Sequence, residues 1–135
     1  KLNDSLKNFI YKSILYMTKL IFHILNLIFL ILYIYPGSIL GFLFYRSFEK
    51  QPQITADFVL SSNHVYAFML LSFFGFINYY KSHKNLIIYY FFSISIILEV
   101  LHMIIPNRSF QFSDLFGNIA GVIFSMLIFY IWRKK

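Results

Sequence analysis

The chain contains no cysteine. That excludes a disulfide framework, a thiolate metal site and a thiol nucleophile, and it leaves any chemistry to His, carboxylate, amide and hydroxyl groups. Charge is also scarce: 13% of the residues are charged, with 5 acidic side chains against 12 Lys and Arg. The basic residues do not form a stripe on a soluble face, which argues against nucleic acid as a partner in spite of the net charge of +7. They gather instead at the ends of apolar blocks, where membrane proteins place them against anionic headgroups.

What the chain has in abundance is apolar surface. Of its 135 residues 59% are hydrophobic and 22% aromatic, too apolar for an ordinary soluble domain and enough chain for one domain. Residues 1–19 alternate Leu6, Phe9, Ile10, Ile14 and Met17 with Lys7, Asn8, Lys12 and Lys19, a basic amphipathic helix suited to an inner-leaflet surface or to the first turns of a span. From Leu20 to Tyr35 the sequence is almost continuously apolar, interrupted by His23 and Asn26. No small-residue cleavage site follows it, so it reads as a retained anchor whose His23 and Asn26 bond neighbouring helices. Pro36-Gly37-Ser38 closes this helix, and Ile39 to Tyr45 is too short to cross a bilayer. Arg46 to Ser62 is the long polar connection.

Further spans follow at Asn63 to Tyr80, Leu86 to Ile105 and Asp114 to Trp132, separated by the basic turn Lys81 to Asn85 and by a turn at Pro106. Ser62 or Asn63 and Ser113 or Asp114 are the expected N-caps. The fold class is therefore all-α: a polytopic membrane protein with four transmembrane helices in a bundle over residues 20–135. Nine basic residues (Lys1, Lys7, Lys12, Lys19, Lys81, Lys84, Arg133, Lys134, Lys135) fall on one side of this arrangement, and Arg46, Lys50 and Arg108 on the other. By the positive-inside rule both termini are cytoplasmic.

The unusual polar groups collect between Glu99 and Gly121. Glu99 and His102 share a helix face at i, i+3, with Ser95 on the same stripe. Arg108 lies in the connection after Pro106, and Asp114 and Asn118 share a face at i, i+4. His64 opens a span at the same end. An ionised carboxylate in hydrocarbon costs a few kcal/mol even on the gentler insertion scales, so Glu99 needs a partner, water or a proton. Six residues short of Ile105, or about 9 Å of rise, it can meet Arg108, His102 or His64. Three readings follow: an ion-pair clamp between Glu99 and Arg108, a binding site for a polar or anionic headgroup, and an acid–base site using His64 or His102 with Glu99. Asp114 also suits a helix N-terminus electrostatically. Gly117, Gly121 and Ser125 form a small-residue face for close helix packing. The ligand types resemble those of a metal site, but the di-iron pattern needs two Glu-x-x-His motifs and this chain has one, so no metal or other cofactor is expected.

These residues resemble the VanZ-like family of small integral membrane proteins, named for a protein associated with teicoplanin resistance. The family pattern places a His at the opening of one helix, then Glu-x-x-Gln, Pro-x-Arg, an Asp and Asn-x-x-Gly. Here the matching residues are His64, Glu99, Pro106-Asn107-Arg108, Asp114 and Asn118-Ile119-Ala120-Gly121, over about residues 61–130. The chain departs from the pattern at His102, where the family has Gln, and at Leu60-Ser61, where it often has Asp-Lys. The resemblance implies a bacterial inner-membrane protein of the cell envelope, linked to glycopeptide sensitivity and antibiotic resistance; the polar cluster itself makes His64, Glu99, His102, Arg108, Asp114 and Asn118 the candidate binding residues. The leading expectation is a non-catalytic binding or accessory role toward membrane lipids, in particular a lipid-linked or anionic headgroup. A membrane-embedded hydrolase or transferase, and a scaffold subunit docking a membrane partner protein, are the alternatives.

The absence of native cysteine makes the orientation directly measurable. Single cysteines introduced near each terminus should react with a membrane-impermeant maleimide only after the cells are opened; labelling of both tails in intact cells would reverse the assignment.

Overall fold

The computed structural model describes residues 2–134, so Lys1 and Lys135, counted above among the basic residues of the two tails, lie outside it. The secondary structure among the described residues is all helical: α1 Leu2–Ile34, α2 Ile39–Tyr45, α3 Ser62–Leu101 and α4 Phe112–Lys134. The amphipathic first segment and the anchor after it are one unbroken helix, as uniform helical spacing without Pro or Gly permits. Of these helices α1, α3 and α4 are long and apolar enough to cross a membrane.

Two of the expected spans, Asn63 to Tyr80 and Leu86 to Ile105, thus fall within α3, as two helical arms joined at a kink. In α3 the helical ladder runs through the basic stretch but His83 leaves helical geometry (φ −142°, ψ 51°), and the chain reverses there. The ring of Phe91 on the second arm lies 5.6 Å from that of Phe76 on the first, edge to face, which a straight helix would forbid. Gly75 gives the Phe91 ring its place between the arms, since a Cβ there would run into that ring. α4 packs along α3, and α1 also packs against α3.

The shared core is aromatic: Phe22, Phe68, Phe76, Phe91 and Phe129 pack with Leu71, Ile87, Leu98 and Val122. Long runs of apolar side chains remain exposed on α1 and α4, Leu20, Ile24, Ile28, Leu127 and Ile131 among them, as expected of helices solvated by lipid. His23 and Asn26 tie α1 to the two arms of α3: His23 Nε2 is 2.6 Å from the Tyr79 hydroxyl, and Tyr90 donates to Asn26 Oδ1 at 2.8 Å.

Several element ends differ from expectation. Ser61, not Ser62 or Asn63, occupies the N-cap position of α3, and its side chain makes no capping bond. That work is done from a distance by Asp57, whose Oδ1 accepts the Ser62 N–H at 2.7 Å. Asn63 instead pins the polar connection, donating to the Pro52 carbonyl at 2.6 Å and accepting the Ile54 N–H at 3.0 Å. α2 is capped by Ser38, whose Oγ accepts the Gly41 N–H at 2.9 Å. α3 stops at Leu101, not at Ile105, so Glu99 lies two residues from its last helical residue. α4 starts at Phe112, which puts Ser113 and Asp114 in its first turn instead of at the cap.

α4 approaches the first arm of α3 through small residues. A Cβ on Gly121 would stand 2.5 Å from the Val65 carbonyl oxygen and 2.9 Å from the Met69 nitrogen, both backbone atoms that cannot yield cheaply. Gly121→Ala should therefore destabilise the protein in micelles by about 1–3 kcal/mol, whereas Ile123→Ala, on an exposed position, should cost about 0.5 kcal/mol or less; thermal unfolding of the two variants side by side checks the difference.

Candidate functional site

Four segment ends meet at one end of the bundle: the C-termini of α1 and of the second α3 arm, and the N-termini of the first α3 arm and of α4. Polar side chains from all of them interlock there. Asn118, fully buried on α4, sets the orientation of the rest. Its Nδ2 donates to the Ser95 carbonyl at 3.1 Å, so its Oδ1 must face the other way. That oxygen accepts from the Tyr33 hydroxyl at 2.8 Å and lies 2.9 Å from His64 Nδ1. An amide oxygen can only accept, so His64 carries its proton on Nδ1 and also reaches the Tyr33 oxygen at 2.8 Å. The other ring nitrogen, Nε2, points to Asp114 Oδ2 at 3.4 Å.

A second imidazole is fixed by the same logic. His102 Nε2 lies 3.1 Å from the Tyr33 carbonyl oxygen, which makes that nitrogen the donor. Its ring stacks on Tyr33, with centroids 5.8 Å apart and planes 11° from parallel. Nδ1 then faces Glu99 Oε2 at 3.2 Å, without the alignment of a hydrogen bond. Glu99 is fully buried. Its Oε1 accepts the Gln111 N–H at 2.9 Å, which ties the end of α3 to the start of α4. Each histidine therefore has one nitrogen committed as donor to a neutral acceptor and the other facing a carboxylate.

Arg108 does not clamp Glu99, contrary to the simplest reading of the sequence. Its Nε donates to the Tyr35 carbonyl at 3.2 Å and its Nη2 to the Leu32 carbonyl at 3.1 Å, capping the C-terminus of α1. A cation at that end also suits the helix dipole. Asn107, with φ +59°, makes the turn that aims Arg108 back at α1. Burial lowers the guanidinium pKa from its ordinary value, while the nearby Tyr33, Glu99 and Asp114 act against that shift.

Two adjoining cavities open beside this cluster. One, of about 390 Å³, is lined mainly by apolar groups including Phe29, Leu32, Ile39 and Leu70, with Tyr33 and His64 at its polar edge. The other, of about 510 Å³, is lined by Glu49, Asn107, Gln111 and Asp114 among others. Ser38, Gln51, His102 and Arg108 line both.

The structure thus gathers His64, Glu99, His102, Arg108, Asp114 and Asn118 at one end. Gly117 and Gly121 lie on the α4 face against the first α3 arm, with Gly117 over Ser61 and His64. Ser125 is buried one turn further along α4. Tyr33 was not anticipated, although it joins both histidines; among 11 Tyr residues in an aromatic-rich chain nothing local marks it out. Gln111 was missed because it acts through its backbone N–H.

Asn118→Leu removes the donor to the Ser95 carbonyl and the oxygen shared by Tyr33 and His64, and should cost about 1–3 kcal/mol. His23→Phe, which breaks an exposed pair with Tyr79, should cost about 0.6 kcal/mol, the average for a hydrogen bond in a membrane protein. Denaturant titration in micelles distinguishes the two.

No curated protein and no solved structure shows significant similarity to the chain. The family model described as VanZ/LLP1 matches residues 2–133, nearly the whole chain, and includes every member of the polar cluster: the protein belongs to the VanZ/LLP1 family.

Proposed function

We propose that the protein holds the headgroup of an amphipathic, phosphate-bearing lipid in the bacterial cell envelope, in a non-catalytic binding or accessory role. The observation that carries this reading is the pair of cavities, one apolar and one polar, that share Ser38, Gln51, His102 and Arg108. An amphiphile needs such a pair: a dry wall for its chain and convergent polar groups for its head. Arg108 supplies the anion contact. With Nε and Nη2 held by backbone carbonyls, the fork is pre-oriented and its remaining nitrogen is left for an incoming oxygen. The side-chain amides of Gln51 and Asn107 contribute neutral donors around it.

Four crossings with both termini cytoplasmic, the arrangement favoured by the Lys and Arg count, set this end at the outer leaflet of the inner membrane. A lipid-linked cell-wall precursor is the headgroup of that kind which connects the site to glycopeptide, including teicoplanin, sensitivity.

In nanodiscs of phosphatidylcholine, the full chain should bind an added polyprenyl pyrophosphate at least about tenfold more tightly than further phosphatidylcholine, a difference of about 1.4 kcal/mol. Arg108→Ala should abolish that preference, and Arg108→Lys should keep part of it by retaining the charge. The reading fails if wild type shows no preference, or if Arg108→Ala and Glu99→Gln both fold and bind as wild type does.

A further inference from the structure

We infer that His64, Glu99 and Asp114 form a binding site for a divalent transition-metal ion, with Zn2+ as the best match, beside the polar cavity that Asp114 lines. One ligand atom from each of the three lies within 4.8 Å of those from the other two. They come from the first arm of α3, the second arm of α3 and α4, so only the folded hairpin assembles them.

The lone-pair arrangement points to a cation. His64 Nδ1 donates to Asn118 Oδ1, so Nε2 is the ring nitrogen that faces the Asp114 carboxylate and is free to act as a ligand. A positive centre belongs in the gap between Nε2 and that carboxylate, either a proton on Nε2 or a metal cation. The separation of 3.4 Å is long for a charge-assisted hydrogen bond. It fits shared coordination: ligand atoms about 2.0–2.1 Å from a tetrahedral zinc stand about 3.3 Å apart. Glu99 adds a fully buried carboxylate whose Oε2 accepts no well-aligned hydrogen bond, its nearest polar neighbour being His102 Nδ1 at 3.2 Å.

The surroundings are those of a metal ligand set. A ligating histidine holds its other nitrogen on an amide or carbonyl oxygen, which here is Asn118 Oδ1, itself locked by Ser95 and joined by Tyr33. Two carboxylates balance the charge of a divalent ion. Mixed imidazole and carboxylate ligands favour zinc over magnesium or calcium. Three protein ligands leave a tetrahedral ion one position free, and Asp114 borders the polar cavity from which that position could be filled. This inference does not rest on the lipid-headgroup reading.

The test uses the full chain in detergent micelles, stripped with a chelator and titrated with Zn2+ in a metal buffer. Wild type should take up one Zn2+ per chain, with a rise in Tm of about 5 °C or more at saturation; Mg2+ at the same concentration should give no rise. His64→Gln and the isosteric Asp114→Asn should weaken binding at least about 100-fold, and Asn118→Ala, through the ring it orients, by about 10- to 100-fold. His23→Gln, an exposed histidine paired to Tyr79, should bind as wild type does. Absence of saturable Zn2+ uptake by wild type overturns the site. So does uptake that His64→Gln and Asp114→Asn, folded, leave unchanged, or that His23→Gln alone removes.

Discussion

A carboxylate with no exposure to solvent has to be matched by donors or positive charge, and the polar end of this bundle is organised by that requirement at Glu99. Its nearest neighbours are a backbone N–H from the start of α4 and the Nδ1 of His102. His102 is in turn set by the carbonyl of Tyr33, whose hydroxyl engages Asn118 and His64. One α1 residue therefore joins two imidazole–carboxylate pairs that lie on different helices. Interlocking polar groups of this kind are costly if left half satisfied and rigid when complete.

The hairpin geometry of α3 is what makes the convergence possible. His64 and Glu99 sit near opposite ends of one helical element, and only its reversal at His83 brings them together. Small residues on α4 and at Gly75 let the helices close on one another, and aromatic rings fill the middle. Apolar packing in the middle of the bundle thus sets the distances that the polar cluster uses at its end. The connection between α2 and α3 covers that end because Asp57, Ser62 and Asn63 bind it to the start of α3. The cavities are bounded by this cover on one side and by the cluster on the other.

Helical, membrane-like character was legible from apolar run length, and the basic turn at Lys81 to Asn85 marked the reversal. The co-location of Glu99, His102, Arg108, Asp114 and Asn118, as distinct from any role for them, followed from two helices meeting at a short connection. Partner choice was not legible. Arg108 and Glu99 are the obvious pair by charge, yet the guanidinium caps α1 and the carboxylate turns to His102. The helix ends at Leu101 and Phe112 also escaped prediction, because the turn after α3 starts well before Pro106 and is held by local bonds such as His102 N–H to the Glu99 carbonyl.

By itself the amino-acid sequence determined the helices, their apolar faces, the breaks between them and the inventory of polar groups, since all of these depend on neighbours within a few residues along the chain. The tertiary structure alone decided which nitrogen of each histidine faces a carboxylate, that Tyr33 links both, and that an apolar and a polar cavity share a wall. Those outcomes depend on ångström-scale separations between side chains 31 to 85 residues apart, and such separations are set by how whole helices pack.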